Sequence, residues 1–224
     1  MIIVIDGPSG SGKSSTARAV AKRLGIEYLD SGALYRAAAW IQLRNRVDLQ
    51  ELSRHLEGVN VQFYYRNGRF ELTVEGEEIT EAIRSPEVTN RVSFVAAEPA
   101  VRDWVNRLMR RTVRNGCYIA DGRDLGSAVF TDADLKFYMV ASLEVRAKRR
   151  HMELIESGSN LTYEEVINNI EERDRLDSGR EADPLVQADD AILIDTTGLS
   201  FDEQVEKIST IALERVGVQI KQKQ

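Results

Sequence analysis

The sequence predicts a three-layer α/β fold: a parallel sheet, doubly wound by helices, with a small antiparallel β insertion and a helical lid. Three observations carry this. Short apolar runs alternate with helical patterns along most of the chain, as parallel strands joined by helical crossovers do. The first run, Ile2-Ile3-Val4-Ile5, has no polar side, which suits a strand buried on both faces. Only between Val59 and Val74 does the period switch to strict alternation. In such folds ligands gather at the carboxyl ends of the strands.

Behind the first strand lies Gly7-Pro8-Ser9-Gly10-Ser11-Gly12-Lys13-Ser14-Ser15, which satisfies G-x-x-x-x-G-K-[ST] between a strand and a helix. This is a P-loop, the ATP-binding element. Its glycines let backbone N–H groups converge on phosphate oxygens, and the helix N-terminus adds a favourable field. Lys13 is placed to reach the β- and γ-phosphates, and Ser14 to offer its hydroxyl to Mg²⁺. Ser15 follows directly, so the sequence leaves open which serine approaches the ion. The next helix carries Ala17, Val20, Ala21 and Leu24 on one face and stops at Gly25.

Glu27-Tyr28-Leu29 reads as a strand, and Ser31 as the N-cap of a helix running towards Arg44, with Trp40, Ile41 and Leu43 on its buried face. Asp48 to Leu56 reads as a short helix. Val59 to Tyr65 and Phe70 to Val74 alternate like strands around an Asn67-Gly68 hairpin turn, and Gly76 turns the chain again before Glu78-Ile79. This unit is expected to cover part of the site.

Pro99 opens a helix reaching about Val113, and Tyr118-Ile119-Ala120 is a strand that ends in Asp121-Gly122-Arg123-Asp124. Asp121 occupies the position of a second carboxylate facing the P-loop, suited to holding Mg²⁺ directly or through water. Leu135 to Val140 is a further strand, and Leu143 to Glu156 a basic helix with Arg146, Lys148, Arg149 and Arg150, broken at Gly158. Thr162 and Glu165 form a capping box for a helix ending near Leu176. Arg173 and Arg180 flank that end, where a mobile lid can bring guanidinium groups onto transferring phosphates. One such arginine contributes about 10³–10⁵ in rate. Ala191 to Ile194 is a last strand, and Ser200 with Glu203 caps the closing helix.

Composition narrows the classes. The 224 residues carry a net charge of −6, which argues against nucleic acid or anionic membrane as a partner. The lone Cys117 offers no disulfide framework or thiolate metal site. The start lacks a signal-peptide pattern and no apolar run suffices for a membrane span, so a cytoplasmic protein is expected. His55 and His151 lack triad-like surroundings and are expected at the surface or in caps; Trp40 and Trp104 are expected in the core. Asp195-Thr196-Thr197-Gly198 matches the D-x-x-G of GTPase switches, but no N-K-x-D follows, and the match is taken as accidental.

Several motifs together resemble the bacterial cytidylate kinases, within the nucleoside monophosphate kinase family. They are the P-loop, Asp30-Ser31-Gly32-Ala33-Leu34-Tyr35-Arg36, Ala120-Asp121-Gly122-Arg123-Asp124-Leu125-Gly126, Arg173-Asp174 with Asp177 and Arg180, and Ala188-Asp189-Asp190-Ala191. The resemblance implies transfer of the γ-phosphoryl group of MgATP to CMP or dCMP; the expected partners are small-molecule nucleotides, and a monomer is expected. It implies a core of residues 1–30, 97–149 and 182–224, a monophosphate-binding insertion of 31–96 and a lid of 150–181. It also implies that Ser93, Arg102 and Asp124 read the cytosine, and that Arg173 and Asp177 lie near the sugar. Arg36 and Arg123 would hold the acceptor phosphate, Ser31 and Tyr35 would line the same substrate site, and Arg180 would join from the lid. Lys13, Arg123, Arg173 and Arg180 are then the catalytic cations, and Ser14 and Asp121 the metal side. Asp124, three residues past Asp121, is expected to be free to face the acceptor base. Another small-molecule P-loop kinase or a non-catalytic nucleotide switch are the rival classes; the arginine-rich lid counts against the switch.

Overall fold

A computed structural model of the chain describes residues 1–66, 69–156, 158 and 160–223, with the backbone alone for 66, 69 and 218–223. Five parallel strands form the main sheet in the order β2-β6-β1-β7-β8: β1 (Ile2–Asp6), β2 (Glu27–Asp30), β6 (Tyr118–Asp121), β7 (Leu135–Val140) and β8 (Ile192–Asp195). β1 lies at the centre, and its Ile3, Val4 and Ile5 are wholly removed from solvent, as its unbroken apolar run requires. The register sets Ile5 and Asp30 each opposite Asp121, so Asp6, Asp30 and Asp121 gather along the carboxyl edge of the sheet.

Helices cover the sheet in two groups. α1 (Lys13–Leu24) packs on α8 (Phe201–Lys223), while α2 (Ser31–Asn45) packs on α4 (Pro86–Ala97) and α5 (Pro99–Thr112). α1 ends as its sequence indicates: Gly25 takes a left-handed φ of 66° and its N–H closes on the carbonyl of Ala21. α3 (Leu49–Leu56) buries Leu52 and Leu56.

The antiparallel unit is present as a separate sheet, β3 (Val61–Arg66), β4 (Arg69–Val74) and β5 (Glu77–Glu78). The Asn67-Gly68 turn lies outside the described residues. Phe70, Leu72 and Val74 form its buried face, and Tyr65 and Phe70 meet the ring of Tyr28 edge-on at 5.6 and 6.3 Å, which docks the unit beside β2.

α6 (Leu143–Glu156) and α7 (Tyr163–Ser178) pack on one another through a small apolar cluster of their own, Ala147, Val166 and Ile170. The capping box of Thr162 and Glu165 is formed in full at the start of α7. Trp104 is buried as expected, but Trp40 is only half-buried and carries the Arg44 guanidinium over its ring at 4.9 Å.

Two local expectations differ from the structure. The N-cap of α2 is Asp30, whose carboxylate accepts from the Ala33 N–H at 2.9 Å. Ser31 is instead the first helical residue, and its hydroxyl donates to the carbonyl of Asp121 at 2.5 Å. Both residue types cap well; the strand register, which seats Asp30 beside Asp121, selects between them. α4 is an element that the sequence does not predict. It begins with Ser85 accepting from the Val88 N–H and Pro86 in the first turn, and it buries only Val88, Val92 and Val95.

Candidate active site

The site opens along the carboxyl edge of the sheet. Gly7 enters the P-loop at a φ of 146°, and a Cβ there would lie 2.0 Å from the carbonyl of Met139 on β7, so no other residue fits between the two strands. Lys13 lies buried across its own loop, donating to the carbonyl of Pro8 at 2.6 Å and to Ser11 Oγ at 3.3 Å. Burial and the nearby Arg123 press its ammonium well below the ordinary lysine range, against the pull of Asp121 and Asp6.

The two serines separate cleanly. Ser14 Oγ donates to Asp121 Oδ2 at 2.5 Å, whereas exposed Ser15 donates back to the carbonyl of Gly12 at 2.9 Å. Asp121 Oδ1 accepts from the Tyr28 hydroxyl at 2.6 Å. Asp30 stands beside it, and burial with repulsion from Asp121 raises its carboxyl.

Beyond this acidic edge three guanidinium groups converge. Arg123 on the rim after β6 donates through Nε to Asp177 Oδ2 at 2.7 Å. Arg36 on α2 is held by Thr89 Oγ1 of α4 at 2.9 Å. Neither Arg36 nor Arg173 of α7 has a carboxylate partner among the described residues. Burial, then the fields of Arg123 and Arg36, press Arg173 down to about 10. Asp30 and Asp177 offset part of this repulsion from a distance, and a bound anion would relieve the rest.

A second, deeper cluster lies on the other side of Arg123. Arg102 of α5 is 1% exposed and donates from NH2 to Asp124, from Nε to Asp183 at 2.9 Å and from NH1 to the carbonyl of Ala96 at 3.2 Å. Its guanidinium carbon lies 5.4 Å from the ring centre of Tyr35, whose buried hydroxyl has no hydrogen-bond partner among the described residues. Arg180 reaches Asp124 Oδ1 at 3.5 Å and the carbonyl of Asp183 at 2.9 Å. Asp124 is therefore not the free carboxylate the sequence suggested: it sits between two guanidinium groups. Its exit from β6, one strand end away from α5, brings Arg102 onto it. Burial pushes its carboxyl up while Arg102 and Arg180 pull it down. Ser93 lies on α4 one turn beyond Thr89 and makes no hydrogen bond to this cluster among the described residues.

The sequence profile of the family described as Cytidylate kinase matches residues 3–214. The chain belongs to the cytidylate kinase family. It is 42% identical over 214 residues to a cytidylate kinase of Carboxydothermus hydrogenoformans, covering 94% of this chain and 96% of that one. It is 43% identical over 214 residues to one of Bacillus anthracis, covering 94% and 95%. A solved shikimate kinase of Bacteroides thetaiotaomicron aligns at a TM-score of 0.44 and 13% identity over 97% of this chain and 98% of that one.

In this family member several residues to which the sequence assigns no site role hold the site together. Asp6, at the end of β1, accepts from the N–H groups of Leu125 at 3.0 Å and Gly126 at 2.7 Å, and so fixes the turn that carries Asp124. Asp174, Arg146 and Asp183 bind the P-loop and Arg102. The Asp195-to-Gly198 segment is not idle either: Thr196 is buried, accepts from Arg149 NH1 at 3.1 Å, and Arg149 NH2 holds its carbonyl at 2.8 Å. Asp6 follows an apolar strand and precedes the first loop glycine, a position where sequence could have flagged it. Asp183 had no such signal.

Proposed function

We propose that the chain transfers the γ-phosphoryl group of MgATP to CMP or dCMP, giving ADP and CDP or dCDP. The observation that carries this reading is the cluster of Arg36, Arg123 and Arg173, two of them without a salt-bridge partner among the described residues, between the P-loop and the buried Arg102–Asp124 pair. A P-loop supplies the donor end, three convergent cations suit two facing phosphates, and a buried donor–acceptor pair suits a base edge.

The acceptor phosphate is already a nucleophile, so no covalent intermediate is needed. An oxygen of the CMP phosphate attacks the γ-phosphorus. The new P–O bond forms as the bond to the β–γ bridging oxygen breaks, and ADP leaves with the electron pair. Arg36 and Arg123 orient the acceptor phosphate, while Lys13 and Arg173 neutralise the charge that spreads over the moving group. Asp177 holds the Nε edge of Arg123 and the Gly122 carbonyl accepts from NH1 at 3.4 Å, leaving NH2 for phosphate. Residues 150–181, with α6 and α7 packed mainly on each other, serve as a lid that excludes water, without which ATP would be hydrolysed. Residues 31–96 serve as the monophosphate-binding region.

The oxygen donors at the sheet edge fit Mg²⁺. Ser14 and Asp121, already joined by a hydrogen bond, would hold it through their oxygens. When bound it neutralises phosphate charge.

Asp124 and Arg102 read the base. A carboxylate accepts from the cytosine amino group, whereas uracil presents O4 there, an acceptor facing an acceptor. Tyr35, beside Arg102, is assigned to the same substrate site together with Ser31 and Ser93. The setting is the cytoplasm, where the lone, buried Cys117 suits a reducing milieu, and the acting unit is a monomer. A coupled ADP-release assay over a panel of nucleoside monophosphates tests the reading. CMP and dCMP should far exceed UMP, AMP and GMP; equal turnover of all five contradicts it.

A further inference from the structure

We propose that Asp174 is a positioning residue for phosphoryl transfer: it fastens α7 to the P-loop and thereby sets where Arg173 stands. The inference rests on the kinase reading above. Asp174 Oδ1 accepts from the backbone N–H of Ser9, inside the P-loop, at 2.9 Å, and Oδ2 accepts from Arg146 NH1. The same Arg146 nitrogen donates to the carbonyl of Ser9 at 2.9 Å, and its Nε donates to the carbonyl of Ala141 at 3.1 Å. The Ser9 residue is thus held at both its N–H and its carbonyl by one partly buried ion pair. The loop also lies close against α6, since a Cβ on Gly10 would stand 3.2 Å from Arg146.

The consequence lies one residue away. Arg173 has no carboxylate partner among the described residues, so the helix that carries it sets its position. α7 reaches the site through three charged contacts: Asp174 to the P-loop, Asp177 to Arg123, and Arg180 beyond its end to Asp124. Among the described residues, only the first ties α7 to the donor loop. Without it, Arg173 keeps its charge but loses its alignment with the phosphoryl group, and a misplacement of about 1 Å costs on the order of 10²-fold in rate.

The test compares Asp174→Ala and Asp174→Asn with the parent chain, measuring kcat and KM for CMP and ATP and hydrogen exchange over residues 163–178. Asp174→Ala should lower kcat by about 10- to 100-fold, leave KM for CMP within about threefold, and speed exchange in α7. Asp174→Asn keeps an acceptor for the Ser9 N–H and should recover part of the lost kcat. If Asp174→Ala does not fold, Asp174→Asn alone decides: a loss of kcat with KM for CMP held supports the proposal, and unchanged kcat overturns it. A folded Asp174→Ala protein with parental kcat overturns it. So does one with raised kcat and tighter binding of a non-hydrolysable ATP analogue, which would make the carboxylate an obstruction. Failure of the parent chain to phosphorylate CMP in the same assay would instead overturn the kinase reading.

Discussion

Asp124→Asn separates base recognition from the stability of the buried cluster. Asp124 is 3% exposed and shares Arg102 with Asp183. A carboxylate has about four lone-pair directions; Arg102 and Arg180 occupy two, which leaves acceptor capacity for a cytosine amino group. The asparagine keeps the volume but presents one carbonyl and one amide. Loss of a base-edge contact is worth about 1–3 kcal/mol, so the ratio of kcat/KM for CMP over UMP should fall about 5- to 150-fold. Breaking a buried ion pair outright costs about 3–5 kcal/mol. Here Arg102 retains Asp183 and the Ala96 carbonyl, so the loss should be nearer the roughly 1.5–3 kcal/mol of one charged hydrogen bond. For a chain of this size that lowers Tm by about 3–12 °C. Asp183→Asn is the matched control, removing the other carboxylate from Arg102 while leaving Asp124 intact. It should lower Tm similarly and hold the CMP-to-UMP ratio within about twofold. The assay is kcat/KM for both substrates at saturating MgATP. An unchanged ratio in Asp124→Asn, or the same change in both variants, refutes base reading by Asp124.

Lys13→Ala should lower kcat by about 10²–10³ with the fold retained, because it deletes a charge that follows the transferring group; near-parental turnover removes the P-loop from the chemistry. Amides of α7 should exchange more slowly when a bisubstrate analogue joining adenosine and cytidine is bound, and equal exchange in both states makes α7 fixed scaffold. Burial raises Asp6 to about 6 from an ordinary 3.8, so the native state binds this proton more tightly than the unfolded chain does. Its contribution to stability is therefore full below the ordinary value and is lost as pH rises through the raised one. In Asp6→Asn that dependence disappears, so the stability of the parent relative to the variant should fall by about 3 kcal/mol between those limits. Parallel stability curves for the two proteins contradict this.

What could be read in the sequence was what short-range spacing encodes. The P-loop, the Gly25 stop and the capping boxes at Thr162 and Ser200 each lie within a few residues, and each appears where its spacing puts it. Where two neighbours suit one role, as Asp30 and Ser31 do at the start of α2, a contact with a distant strand makes the choice. α4 escaped because its buried face is three valines while the larger Phe94 stands exposed, leaving only Ser85-Pro86 as a marker. Asp174 lies in the charged run Arg173-Asp174-Arg175, where nothing local distinguishes a solvated acid from one that binds the P-loop 165 residues away. Asp183 is harder still: its left-handed φ of 49° and its bond to Arg102 arise only once the chain has folded back from α7.

The central claim is direct transfer between two nucleotides in a site closed to water, and ³¹P NMR of one mixture tests it. With ATP, Mg²⁺ and CMP, the account predicts ADP and CDP appearing in equal amounts, with no build-up of inorganic phosphate and no ATP loss when CMP is left out. Inorganic phosphate released in step with ADP, or ATP consumed at the same rate without CMP, would contradict it.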